Sequence, residues 1–164
     1  MISMTSRQSP AFTRRMAALR KIVAEGHDIV SRAIGEKTLA VVRARTLEGR
    51  DSTGARFAPY SDGHAKRRRL KGLPSTPDLS LSGKLLRSLR WERAGSLTRI
   101  YVSTSRRGRI SNYDLARIHH FGARAGRRHN AVIPPRPFFG LTPSDWVTVR
   151  ETAKAALGKV LSVK

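Results

Sequence analysis

From about Ala11 to Leu47 the apolar positions fall mostly at steps of three and four: Leu19, Ile22, Val23, Gly26, Ile29, Val30, Ala33, Ala40, Val41, Ala44 and Leu47. That spacing paints one face of a helix. Gly26, followed by His27 and Asp28, costs roughly 1 kcal/mol in a helix interior, so the stretch reads either as one long helix or as a pair. Residues 1–10 are polar, end at Pro10 and read as a flexible leader. Residues 48–63 carry Gly49, Gly54, Pro59 and Gly63 around a small apolar patch of Phe57 and Tyr60, a pattern of turns.

Leu81, Leu85, Leu86 and Leu89 predict a short amphipathic helical turn. Residues 88–94 then alternate, with Leu89, Trp91 and Arg93 on one side, and Gly95-Ser96 turns the chain into Leu97–Val102. Two alternating runs joined by Gly-Ser predict a β-hairpin. Residues 113–122 predict a short helix closed by Gly122 as its C′ residue. Residues 131–140, AVIPPRPFFG, predict an extended segment, because each proline restricts the residue before it. The final helix starts with Thr142 as N-cap, Pro143 at the first helical position and Asp145 at the third. Trp146, Val149, Ala153, Ala156, Leu157 and Val160 lie along its apolar face. The order predicts an α+β fold: a long N-terminal helix or helix pair, a small mostly antiparallel sheet, a short helix and a C-terminal helix. With 164 residues, one domain over 11–164 is expected, with basic loops near 61–78, 104–112 and 122–131.

Charge changes the picture most. Thirty-three Lys and Arg face eleven Asp and Glu, a formal +22. Such self-repulsion calls for an anionic partner, either nucleic acid or an acidic protein surface. The cations cluster at Lys66, Arg67, Arg68, Arg69 and Lys71, at Arg106, Arg107 and Arg109, and at Arg124, Arg127 and Arg128. Each cluster reads as a solvated loop or as a contact to DNA or to an acidic partner. Aromatic residues do not interleave with them, so stacking on bases is not expected, and any nucleic-acid contact would be to the backbone.

Little in the chain points to catalysis. There is no cysteine, hence no disulfide, thiolate metal site or Cys nucleophile. No glycine-rich stretch is followed by the Lys-Ser/Thr of a phosphate-binding loop, and no serine stands in a nucleophile elbow. Asp78, Asp114 and Asp145 sit beside turns or helix starts, where a carboxylate caps backbone N–H groups. His119 and His120 are adjacent, and neighbouring side chains on a helix diverge, unlike the i, i+4 pairs of metal-binding helices. Neither these two nor His64 and His129 form a convincing metal or nuclease site, and no cofactor is expected. No apolar run approaches the ~18 residues of a membrane span, and the N-terminus lacks the apolar core of a secretory signal.

Four stretches, in order, carry a resemblance: DSTGARFAPYS after the first helix, LSLSGKLLRSL, YDLARIHHFG, and IPPRPFFGLTPSDW before the last helix. The sequence resembles the phage virion morphogenesis proteins of Mu-like phages, a family related to tail completion and head–tail joining (neck) proteins. The resemblance implies a structural protein and no enzyme. It would act in virion assembly, completing the tail or joining it to the head as a ring around the DNA channel. It also implies other neck and tail proteins as partners, and copies of the chain itself, a hexamer being one form of the ring. The location implied is the virion, with host cytoplasm during assembly and no membrane. Ile118, Phe121, Pro135, Arg136, Pro137, Phe138, Phe139 and Trp146 are the residues expected to pack subunits together, or to pack the core beneath them. The alternative reading is a sequence-nonspecific nucleic-acid-binding protein.

Overall fold

The computed structural model describes residues 10–104, 110–126 and 131–162. Helix α1 (Pro10–Leu47) is followed by α2 (Asp62–Arg69), α3 (Lys84–Arg87), β1 (Leu89–Ala94) and β2 (Leu97–Val102). Then come α4 (Asn112–Phe121), β3 (Ala123–Ala125), β4 (Ala131–Ile133) and α5 (Pro143–Ser162). The architecture is α+β, with two antiparallel two-stranded ribbons and the helices packed around them. The proposed leader falls almost wholly outside the described residues.

α1 runs unbroken for 38 residues, through Gly26. A Cβ at Gly26 would lie 2.7 Å from Val160 Cγ1, so this glycine is where α5 comes closest to α1. The two helices run antiparallel, since the start of α5 meets the end of α1 through Asp145 and Arg45. α1 buries a different face from the one its apolar pattern predicts. The inward positions of its second half are Ser31, Gly35, Thr38, Leu39, Val42, Arg45 and Thr46, whereas Leu19, Ile22, Val23, Ile29 and Leu47 are exposed. Small and hydroxylated residues carry no hydropathy signal, but they let neighbours approach closely. Trp91 lies over Gly35, where any Cβ would collide with the indole. Thr46 Oγ1 donates back to Val42 O at 2.7 Å, satisfying its hydroxyl without leaving the helix.

The hairpin forms as its alternation predicts: Leu89 pairs with Val102, Trp91 with Ile100 and Ala94 with Leu97, across a two-residue turn whose Gly95 has φ 63°. A two-residue hairpin with glycine first tolerates that positive φ without a Cβ clash. Leu89, Trp91, Ile100 and Val102 thereby point into the core with Leu39, Val42, Phe57, Leu79, Leu85, Leu86, Ala116 and Phe138.

Two of the expected basic loops carry regular structure. Residues 62–69 are helical, with Ser61 at the N-cap and Asp62 in the first turn. Residues 123–125 pair with 131–133 as a short ribbon.

Candidate functional site

The four stretches that carry the resemblance are linked by hydrogen bonds: Leu79 N to the Tyr60 hydroxyl, Ser52 N to Pro137 O, and Arg136 N to His119 O. In the first, Asp51 Oδ1 accepts from Thr53 N at 2.8 Å, Thr53 Oγ1 at 2.6 Å and Ala55 N at 3.0 Å, folding DSTGA into a tight turn. Burial alone would raise the Asp51 pKa, but these hydrogen bonds to the carboxylate outweigh it and hold the pKa below its ordinary value. The turn is then tied to the proline-braced segment: Ser52 N donates to Pro137 O at 2.7 Å.

That segment, residues 134–141, is held largely by guanidinium groups. Its prolines remove backbone donors, so buried carbonyls must find partners elsewhere. Arg45 Nη2 donates to Phe138 O at 3.0 Å and Gly140 O at 2.7 Å, and its Nη1 bonds the Asp145 carboxylate. Arg136 is buried and works in the other direction: its Nε and Nη2 donate to Ala58 O and Pro59 O, both at 2.8 Å. Its Cζ lies 5.0 Å from the Tyr60 ring centroid, and Arg68 Cζ lies 5.2 Å from the same ring. Tyr60 is thus in cation–π contact with two guanidiniums, while its hydroxyl accepts from Leu79 N at 3.2 Å. Arg136 N donates to His119 O at 2.7 Å, which joins the segment to α4. Gly122, φ 77°, ends α4 where a side chain would meet Ile133 O and Pro135.

Between β2, α4 and this segment lies an open apolar cleft of about 320 Å³. Its walls are Ile100, Tyr101, Val102, Tyr113, Ala116, Arg117, His120, Phe121, Phe138 and Phe139. Phe138 forms the floor at 0% exposure and Phe121 stands at the rim at 71%. His120 sits edge-on to both, with ring centroids 4.6 Å from Phe121 and 6.0 Å from Phe138. The residues expected to pack subunits therefore divide. Arg136 and Phe138 are buried, Ile118 and Pro137 are half-buried, and Phe121, Pro135, Phe139 and Trp146 are exposed.

The predicted basic contacts divide too. Lys66, Arg67, Arg69, Lys71 and Arg124 are exposed, but Arg68 turns inward and pairs with Asp78 at 2.7 Å. Arg106, Arg107, Arg109, Arg127 and Arg128 lie outside the described residues, as does His129. Of the aspartates expected to cap backbone N–H groups, Asp78 accepts from Ser80 N at 2.9 Å and Asp145 from Thr142 N, whereas at Asp114 the cap is the Ser111 hydroxyl, which itself donates to the Asp114 carboxylate at 2.6 Å. Asp114 N donates to Ser111 Oγ at 3.0 Å, and Asp145 N donates to Thr142 Oγ1 at 3.1 Å while the Asp145 carboxylate accepts from Thr142 N at 3.0 Å.

Residues 9–158 match the phage virion morphogenesis family. The chain belongs to that family. No curated protein and no solved structure gave a match. The family is one of virion morphogenesis and not a known enzyme family, so its members act in making the phage particle. Among the described residues no group of three His, Cys, Asp or Glu is placed to hold a metal ion. No described helix is long and apolar enough to cross a membrane. All four stretches fall within the matched span, and the third and fourth supply most of the lining of the aromatic cleft.

One chemical consequence of the site concerns pH. His119 is largely buried, and burial first, then the charges of Arg136 and His64, push its pKa from 6.5 to about 4. His64 and His120 are displaced in the same direction, in each case mainly by desolvation. A folded-state pKa below the unfolded value means that the unfolded chain takes up the proton first as pH falls. Stability from His119 is therefore full above pH 6.5 and lost as pH falls toward 4. At about 1.36 kcal/mol per unit, the loss should be of order 2–3 kcal/mol by pH 4.5. Urea unfolding of the wild type and of His119→Leu at pH 7 and 4.5 checks this. The variant should lose correspondingly less on acidification, and equal losses would rule His119 out as the cause.

Proposed function

We propose that the protein completes the tail or joins it to the head as a ring of identical copies around the DNA channel. The family match is the observation that carries this reading, because it assigns the chain to virion assembly. Two features support the ring. The aromatic cleft presents Phe121, Phe139, Tyr113 and Tyr101 to solvent, and exposed contiguous apolar surface of this kind marks protein contacts. A second apolar region lies elsewhere, on the first half of α1 and the end of α5, where Leu19, Ile22, Val23, Leu157 and Leu161 are exposed. Two unlike apolar surfaces on one chain suit a head-to-tail interface, which closes into a ring when the rotation allows. Lys66, Arg67 and Arg69 on α2 then meet packaged DNA through its phosphates, or an acidic neighbouring protein.

Phe121→Asp tests the reading with little risk to the fold, since this side chain is mostly in solvent. Loss of an interface anchor of ~2 kcal/mol weakens association about thirtyfold. Sedimentation should show smaller species than the wild type, and particles complemented with the variant should lose infectivity. Wild-type sedimentation together with normal particle yield would defeat the proposal.

A further inference from the structure

A second groove, of about 480 Å³, lies between the end of α1 and the α3–β1 corner. Its lining combines three arginines, Arg43, Arg87 and Arg90, with Leu47, Leu86, Ser80 and Gly83. Arg43 Nε and Nη2 donate to Leu86 O at 3.0 Å and Leu89 O at 2.9 Å, which fixes the guanidinium in the groove wall. Arg87 Nη2 donates to Ser82 O at 2.6 Å, and Arg90 Nη1 donates to the carbonyls of Arg87 and Leu89. Gly83 has φ 67° and leaves room for the Arg87 guanidinium, which any Cβ there would strike.

Every anchor is thus a neutral carbonyl. Among the described residues none of the three arginines has a carboxylate partner, and no acid lines the groove. Each guanidinium carries five N–H donors, so several remain free at each. The like charges also act on one another: desolvation, then the nearby Arg90, lowers the Arg43 pKa. The groove is a fixed cluster of cations without a counter-charge.

We propose that this groove receives an acidic segment of a partner protein, with Asp or Glu side chains on Arg43, Arg87 and Arg90 and an aliphatic side chain between them. Carboxylates match the guanidinium fork and form short, charge-assisted bonds with it. The aliphatic component follows from the floor: Leu47, 54% exposed, and Leu86 lie among the three cations. A phosphodiester backbone has no group to set against them. The surface shares no residue with the aromatic cleft, so this inference stands apart from the ring.

Fluorescence anisotropy tests it with three probes on the intact protein: a short labelled peptide alternating Glu and Leu, its Glu–Ser counterpart and a labelled DNA duplex. The variants are Arg87→Ser with Arg90→Ser, and a control with Lys66→Ser and Arg67→Ser on α2. The groove variant should weaken the Glu–Leu peptide at least about tenfold, as expected for a lost charge-assisted contact. The α2 control should stay within about twofold of wild type, and the Glu–Ser peptide should bind wild type more weakly than the Glu–Leu one. Leu47→Ser, at an exposed side chain, should abolish that preference and gives a reading even where the double variant fails to fold. Absence of peptide binding by the wild type overturns the proposal. So does equal weakening by both double variants, or a loss of duplex binding in the groove variant as large as its loss of peptide.

Discussion

Replacing Arg68 with alanine is expected to lower the unfolding free energy by about 3–5 kcal/mol, the usual cost of removing one partner from a buried ion pair. The side chain is 1% exposed. Its Nη2 donates to Asp78 Oδ2 and its Nε to Pro74 O, both at 2.7 Å, with Ser80 O at the limit of reach at 3.5 Å. Truncation leaves the Asp78 carboxylate buried without its counter-charge. It also releases the turn that holds Leu79, whose φ of 52° is unfavourable for a branched side chain and whose N–H is committed to Tyr60. Arg67→Ala and Arg69→Ala, on either side in sequence but in solvent, should change stability by no more than about 0.5 kcal/mol. Urea unfolding of the three variants decides it; a cost at Arg68 no larger than at its neighbours would show that the pair contributes nothing. For function, a charge reversal across Lys66–Arg69 that includes Arg68 would report on folding. Only Lys66, Arg67 and Arg69 can report on a contact.

This arginine also shows where reading the sequence stops. Nothing local separates Arg68 from Arg67 and Arg69; what separates them is Asp78, brought to it by the turn around Pro74 and Pro77. By contrast, every feature of the α5 start is local. Thr142, Pro143 and Asp145 fix the cap within four residues, and the helix begins at Pro143. The β1–β2 hairpin is legible for the same reason, since alternation and a Gly-Ser turn set its register without help from the rest of the chain.

α1 lies between these cases. Its periodicity gives the helix and its C-terminal end, but the face it buries sets Ser31, Gly35, Thr38 and Thr46 beside Leu39, Val42 and Arg45, and these small and hydroxylated residues serve closeness of approach rather than hydropathy. Gly26 looks like a break until α5 supplies Val160 to pack on it. The same limit hides the arginine groove. Arg43, Arg87 and Arg90 are dispersed along a chain rich in cations, and no run marks them; only the packing of α1 against the α3–β1 corner makes them a cluster. The aromatic cleft is more accessible, because seven of its ten lining residues sit in the two stretches with the most distinctive composition, YDLARIHHFG and IPPRPFFG, and the other three are on β2.

The second large effect is expected at Phe138, and it separates the two tasks that the cleft residues share. Phe138→Ala should cost about 3–5 kcal/mol, the range for a fully buried aromatic reduced to alanine. The ring is 0% exposed, belongs to the core cluster and makes edge contacts with Phe139 at 6.3 Å and His120 at 6.0 Å. Its loss opens a void under the existing cleft, where water can enter, so the lower half of that range is the better expectation. Phe139→Ala, at 36% exposure, should cost less, and Phe121→Ala, on the rim, should cost under about 1 kcal/mol. Association should rank the other way, with Phe121→Ala the more damaging to oligomers per unit of stability lost. Urea unfolding and sedimentation of the same three variants give both rankings. Were Phe121→Ala to destabilise the monomer as much as Phe138→Ala, the rim would be part of this chain's own core, and the cleft would have no surface to offer a neighbour.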